Sequence, residues 1–181
     1  MSANGSSSAL LVIDMQQQVV DTCPDGRGLI ERINSLSRRA AEGGVPVIFI
    51  QHEGHDELFK GTPGWELAAG LERADDSFLV RKTYRDAFAD TELQALLERL
   101  GVRRLVVTGA HSDFCVQTSA LSALFHGFDL ALVSDGHGAE PSSDDDALSA
   151  QTLQAFVNTR FATLRHPGRT VEVVPAADVE L

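Results

Sequence analysis

Leu105-Val106-Val107-Thr108-Gly109-Ala110-His111-Ser112-Asp113-Phe114-Cys115-Val116-Gln117-Thr118 is the stretch that decides how this chain is read. A continuously apolar run, Leu105-Val106-Val107, enters it, and a helix-compatible segment from Val116 to His126 leaves it. Apolar runs without polar alternation mark strands buried on both faces, as in a parallel sheet. Cys115 therefore stands where a buried strand hands over to a helix N-terminus. The positive end of a helix favours a thiolate, which makes Cys115 a candidate nucleophile rather than only a small buried residue.

Working outward, five more apolar runs read as strands: Ala9 to Ile13, Val47 to Ile50, Phe78 to Val80, Leu130 to Val133 and Val171 to Val174. Helical periods lie between them. Leu29, Ile33, Leu36 and Ala40 share one face, and Leu93, Leu96, Leu97 and Leu100 share another. Gly43-Gly44, Gly101 and Gly127 follow helical segments as C-terminal caps. A last helix is expected from about Ala147 to Leu164, with Asp144-Asp145-Asp146 capping it. Strand–helix alternation of this kind predicts an α/β fold: a single doubly wound domain with a six-stranded, mainly parallel sheet and helices on both faces. The domain is expected over residues 9–181, after a disordered lead-in at 1–8. The segment from Gln51 to Asp76 is too irregular for one helix, with Trp65 to Ala68 as a possible short one, and long loops are often functional.

Composition narrows the function. The chain has 181 residues, enough to bury about 70% of its unfolded surface in one domain. Its formal charge of −11, from 26 acidic and 15 basic residues, repels phosphate backbones and predicts no nucleic-acid partner. No run approaches the roughly 20 apolar residues of a membrane span, so no membrane partner is expected. The small, polar N-terminus lacks signal-peptide character, and the two cysteines cannot build a disulfide framework; both point to the cytoplasm.

In doubly wound sheets ligands bind beyond the carboxyl ends of the strands. Asp14 follows the first strand, Gln51-His52 the second, Lys82 the third, Cys115 the fourth and Asp135-Gly136-His137 the fifth. A carboxylate, an ammonium and a thiol thus converge on one edge. A carboxylate can take a proton from a thiol, and an ammonium beside both favours the charged forms. The thiolate could then attack a carbonyl carbon, Asp14 could protonate a leaving amine, and a water could cleave the thioester. This chemistry predicts acyl transfer to water, with a small-molecule amide as the natural substrate because its poor leaving group needs a proton donor. Backbone N–H groups in the turn before the helix, that of Cys115 included, are placed to stabilise an oxyanion.

At these residues the chain resembles the isochorismatase-like cysteine hydrolases. The likeness rests on Val12-Ile13-Asp14-Met15-Gln16, Gly61-Thr62-Pro63-Gly64-Trp65-Glu66-Leu67, Lys82 with Ala87-Phe88, Thr91-Glu92-Leu93, and Gly109 to Thr118. The resemblance implies Asp14 as general base and acid, Lys82 as stabilising cation and Cys115 as nucleophile. It also implies a cis peptide at Ala110–His111, oxyanion donors at the N–H groups of His111 and Cys115, and a homodimer or homotetramer. Metal-dependent nicotinamidases in this superfamily carry an Asp-x-His segment after the second strand. Here Gln51-His52-Glu53-Gly54-His55 lacks that aspartate. His52 and His55, three apart, could share a metal, but no convincing third ligand accompanies them, so no metal and no cofactor are expected. Gln-His-Glu-Gly and Gly-Thr-Pro-Gly-Trp-Glu-Leu look more like the metal-free members, with streptothricin hydrolases among them. Phe156-Val157-Asn158 departs from that branch's His-His-Asn.

Candidate pocket residues are Gln16, His52, Trp65, Phe88, Phe114 and His137. Cys23, in a loop, is given no catalytic role. Three alternatives stand beside the amidase reading: a non-catalytic metabolite-binding protein on the same scaffold, nicotinamidase- or isochorismatase-type activity, and a redox sensor built on Cys115.

Overall fold

The computed structural model describes residues 8–54, 58–142 and 148–181. Six strands, β1 (Ser8–Ile13), β2 (Val47–His52), β3 (Phe78–Lys82), β4 (Arg104–Ala110), β5 (Asp129–Gly138) and β6 (Val171–Val174), form one sheet in the order β3-β2-β1-β4-β5-β6. Every neighbouring pair is parallel. The helices are α1 (Gln17–Asp21), α2 (Gly26–Glu42), α3 (Leu93–Arg99), α4 (Gln117–Phe125) and α5 (Ala150–Thr163).

Strand side chains alternate between two cores, which is why the apolar runs are continuous. Leu10 and Val12 of β1 pack with Leu29, Ile33, Leu36 and Ala40 of α2. Ala9, Leu11 and Ile13 face the opposite layer, built from Leu93 and Leu97 of α3, Ala120 and Leu124 of α4, and Val157 and Phe161 of α5. The first strand, β1, lies in the middle of the sheet, and the later strands are added on both sides of it. The crevice at the topological switch therefore opens beyond the ends of β1 and β4, next to Asp14 and Cys115.

Several expectations are corrected. Trp65 to Ala68 forms turns and an isolated bridge, Gln16 with Leu67, instead of a helix. The short helix α1, directly after the first strand end, had no periodic signal in only five residues. The last helix is Ala150–Thr163; residues 143–147, including the acidic run, lie outside the described residues, as do residues 1–7 and His55. Ser8 belongs to β1. The fifth strand runs on to Gly138, because the β4–β5 register shifts between Val107 and Gly109 and then pairs Gly109 with His137. Asp135-Gly136-His137 is thus part of the strand.

Gly109 has φ +127°, and a Cβ there would collide with the Ile13 backbone. Only glycine lets β4 approach β1 at the point where Asp14 and the Cys115 turn meet. Gly109→Ala is expected to cost about 3 kcal/mol, from overpacking and a forbidden backbone angle together. Urea unfolding of that variant is the check, and a wild-type midpoint would refute the close-approach account.

Candidate active site

Asp14 leaves β1 in a left-handed conformation, φ +49°, which aspartate tolerates better than most residues. Its N–H donates to Ile50 O, so both β1 and β2 fix where the carboxylate points. Lys82, the last residue of β3, reaches across: Nζ lies 2.7 Å from Asp14 Oδ2, with side chains 0% and 3% exposed. Nζ also lies 3.3 Å from Cys115 Sγ, 3.1 Å from His52 Nδ1 and 3.1 Å from Tyr84 O. One buried ammonium therefore ties the ends of β1, β2 and β3 to the thiol.

Cys115 sits inside a wide π-helical turn, Ser112–Val116, that precedes α4. The turn is held by Phe114 and Val116 N–H groups, both donating to His111 O. The Ala110–His111 peptide is cis. Burial pushes the Cys115 thiol up to about 12; the Asp14 charge adds to this and Lys82 opposes it. Burial is the largest of these effects, so the neutral thiol is favoured although Lys82 pulls the other way. Cys23 is pushed up to about 12 as well, first by burial and then by Glu140. Neither cysteine has the low-pKa thiol that a redox sensor needs.

A cavity of about 650 Å³ opens over this cluster, lined by Asp14, His52, His111, Phe114 and Cys115 among others. Asp14 Oδ1 has no hydrogen-bond partner among the described residues, leaving an acceptor next to the thiol. His111 Nε2 lies 2.8 Å from Thr22 Oγ1 and 3.2 Å from Val19 O, so its ring is tethered to α1 and the residue after it. The Arg85 guanidinium stacks on Phe114 at 4.0 Å from the ring centre.

Four candidate pocket residues do not line this cavity. Gln16 is a clamp: its Nε2 donates to His52 O and Trp65 O, and its Oε1 accepts the His52 N–H. It is fully buried and sets where His52 sits. Trp65 is buried, with the Arg81 guanidinium 5.5 Å from its ring. Phe88 stacks on His126 and Phe128 in the core. His137 points into the sheet–helix layer, where its ring bonds Ser112 and Asn158. In all four the side-chain direction takes the residue away from the cavity, and direction depends on local twist and register, which the sequence does not show.

The strand-end rule could have found Thr83, Tyr84 and Arg85, which follow Lys82 and line the cavity. Thr22 and Glu140 also line it, with no pattern in the sequence to mark them. His52 Nδ1 faces the Lys82 ammonium, a poor position for a ligand to a second cation. Among the described residues no three His, Cys, Asp or Glu side chains converge as a metal-binding group. No described helix is long and apolar enough to cross a membrane.

Comparison with known proteins gives the family and the fold. Residues 8–163 match the isochorismatase domain model. Two streptothricin hydrolases of Streptomyces noursei are 36% and 35% identical, each over 93% of this chain. The chain spans 62% and 68% of their lengths. A cysteine hydrolase from Pseudomonas syringae pv. phaseolicola shares the fold, with a TM-score of 0.83 at 21% identity over 98% of this chain and 92% of that one.

Proposed function

The chain belongs to the isochorismatase family, and we propose that it is a cysteine hydrolase that cleaves the C–N bond of a small-molecule amide or lactam through a thioester on Cys115. One observation carries this reading: a single Lys82 ammonium bonds Asp14 Oδ2 and Cys115 Sγ at once, beside a cavity of substrate size. The likeness to streptothricin hydrolases supports the hydrolase part of this reading.

Asp14 takes the thiol proton as Sγ bonds to the carbonyl carbon, so no free thiolate need exist at rest. Negative charge passes to the substrate oxygen, where the backbone N–H groups of His111 and Cys115 stabilise it. Asp14 then gives its proton to the nitrogen as the C–N bond breaks, and the amine leaves. Water attacks the thioester carbon while Asp14 accepts one of its protons. The C–S bond breaks, the carboxylic acid departs, and Asp14 returns the proton to sulfur. Lys82 compensates whichever of the two partners is anionic. His52 and Phe114 form the walls around the acyl group.

Intact-mass measurement after incubation with a library of metabolite amides tests nucleophile and substrate together. An acyl-sized mass gain on Cys115, absent in Cys115→Ala, is the expected result. Acylation of Cys23 instead, or hydrolysis retained in folded Cys115→Ala, would overturn the reading.

A further inference from the structure

We propose that His137 is a positioning residue for Cys115, acting through Ser112 to hold the π-helical turn that carries the sulfur. The proposal rests on the cysteine chemistry above but concerns a group outside the cavity. Ser112 and His137 are 0% and 1% exposed, and Ser112 Oγ lies 2.7 Å from His137 Nδ1. Buried polar pairs of this kind are costly to leave half-made, so both partners are held in place.

The direction of the proton follows from the next link. Asn158 Nδ2 donates to Ser134 O at 2.8 Å, which fixes the amide and turns Oδ1 toward His137 Nε2 at 3.0 Å. A carbonyl oxygen only accepts, so Nε2 carries the hydrogen and Nδ1 is bare. The Ser112 hydroxyl therefore donates to Nδ1. Gln154 Nε2 donates to His137 O at 2.6 Å, a second tie from α5 to the same residue. Burial holds His137 below the ordinary histidine range, against weaker opposing effects of Asn158 and Asp135, which keeps Nδ1 unprotonated.

This chain of contacts runs from α5 through β5 to the first residue of the turn. Phe114 and Val116 are both bonded to His111 O, so the turn moves as a unit, and Ser112 is its side-chain anchor. What the anchor protects is the 3.3 Å separation between Cys115 Sγ and Lys82 Nζ. A displacement of about 1 Å at a reacting atom can cost about a hundredfold in rate.

Three variants test the proposal: Ser112→Ala, His137→Phe and His137→Asn, the last placing an amide oxygen near the position of Nδ1. Two readouts are taken on protein shown to be folded by circular dichroism: the rate of iodoacetamide alkylation of Cys115, mapped by peptide mass, and kcat and KM on an amide that the wild type hydrolyses. Ser112→Ala and His137→Phe are expected to lower kcat about tenfold to a hundredfold, with KM within about twofold. The same variants are expected to speed alkylation at neutral pH by about threefold or more, as the thiol leaves its desolvated seat. His137→Asn is expected to recover most of both. Wild-type kcat and alkylation in folded Ser112→Ala would overturn the proposal, and that variant decides alone if His137→Phe does not fold. If the wild type hydrolyses no amide yet alkylation shifts as described, the hydrolase reading fails and the positioning role stands.

Discussion

Asp14→Asn is expected to lower hydrolysis by about four orders of magnitude while making Cys115 more reactive toward iodoacetamide at neutral pH. The two effects have opposite signs because Asp14 does two things. As a proton acceptor and donor it is used in each step of the proposed cycle, and an amide side chain cannot replace it. As a buried charge it pushes the Cys115 thiol up, second only to burial, while Lys82 pulls it down. Removing the carboxylate leaves Lys82 with no fixed counter-ion, and the sulfur is the nearest group able to become one. The thiolate is then favoured at a lower pH than in the wild type, and alkylation rises because the thiolate is the nucleophile. The second-order alkylation rate across neutral and alkaline pH measures this. A rate unchanged or slowed in folded Asp14→Asn would show that the carboxylate does not control the thiol.

Lys82→Met is expected to destabilise the fold by about 3–5 kcal/mol, the usual cost of removing one partner from a buried ion pair. The pair is almost completely desolvated, with side chains 0% and 3% exposed, so the remaining Asp14 charge loses its counter-ion at a site that solvates it poorly. That is a large part of the 5–15 kcal/mol, roughly, that holds a domain of this kind together. Combining Lys82→Met with Asp14→Asn removes the orphaned charge, and the double variant is expected to be more stable than Lys82→Met alone. Urea unfolding of the three variants closes the cycle. Purely additive effects would mean that the pair contributes no coupling, and Lys82 would then matter only through its packing.

Much of the architecture was legible because burial on both faces writes itself into composition. Leu105-Val106-Val107 and Ala9 to Ile13 are apolar without interruption, and each supplies side chains to both cores. Gly44, Gly101 and Gly127 end helices with positive φ, as their positions implied. Asp14, Lys82 and Cys115 could be singled out because a parallel sheet gathers its strand ends on one edge. Helix α1 escaped notice, since five residues carry too little periodicity. The extension of β5 to Gly138 escaped notice too, since it depends on a register shift with β4 that local pattern does not encode.

The sequence by itself determined which chemical groups this protein has and the edge of the sheet where they gather, because continuously apolar strands alternating with helices imply a parallel sheet whose carboxyl ends share one edge. Only the tertiary structure decided which way each side chain turns. Gln16 braces β2, Phe88 joins the core and His137 faces Ser112, while His52 and Phe114 line the cavity. The state of Cys115 was likewise decided in three dimensions. A helix end argues for a thiolate, but the balance among burial, Asp14 and Lys82 is set by distances of a few ångströms between residues 33 and more positions apart in the chain. Desolvation is the largest of these effects, and it favours the neutral thiol over the thiolate.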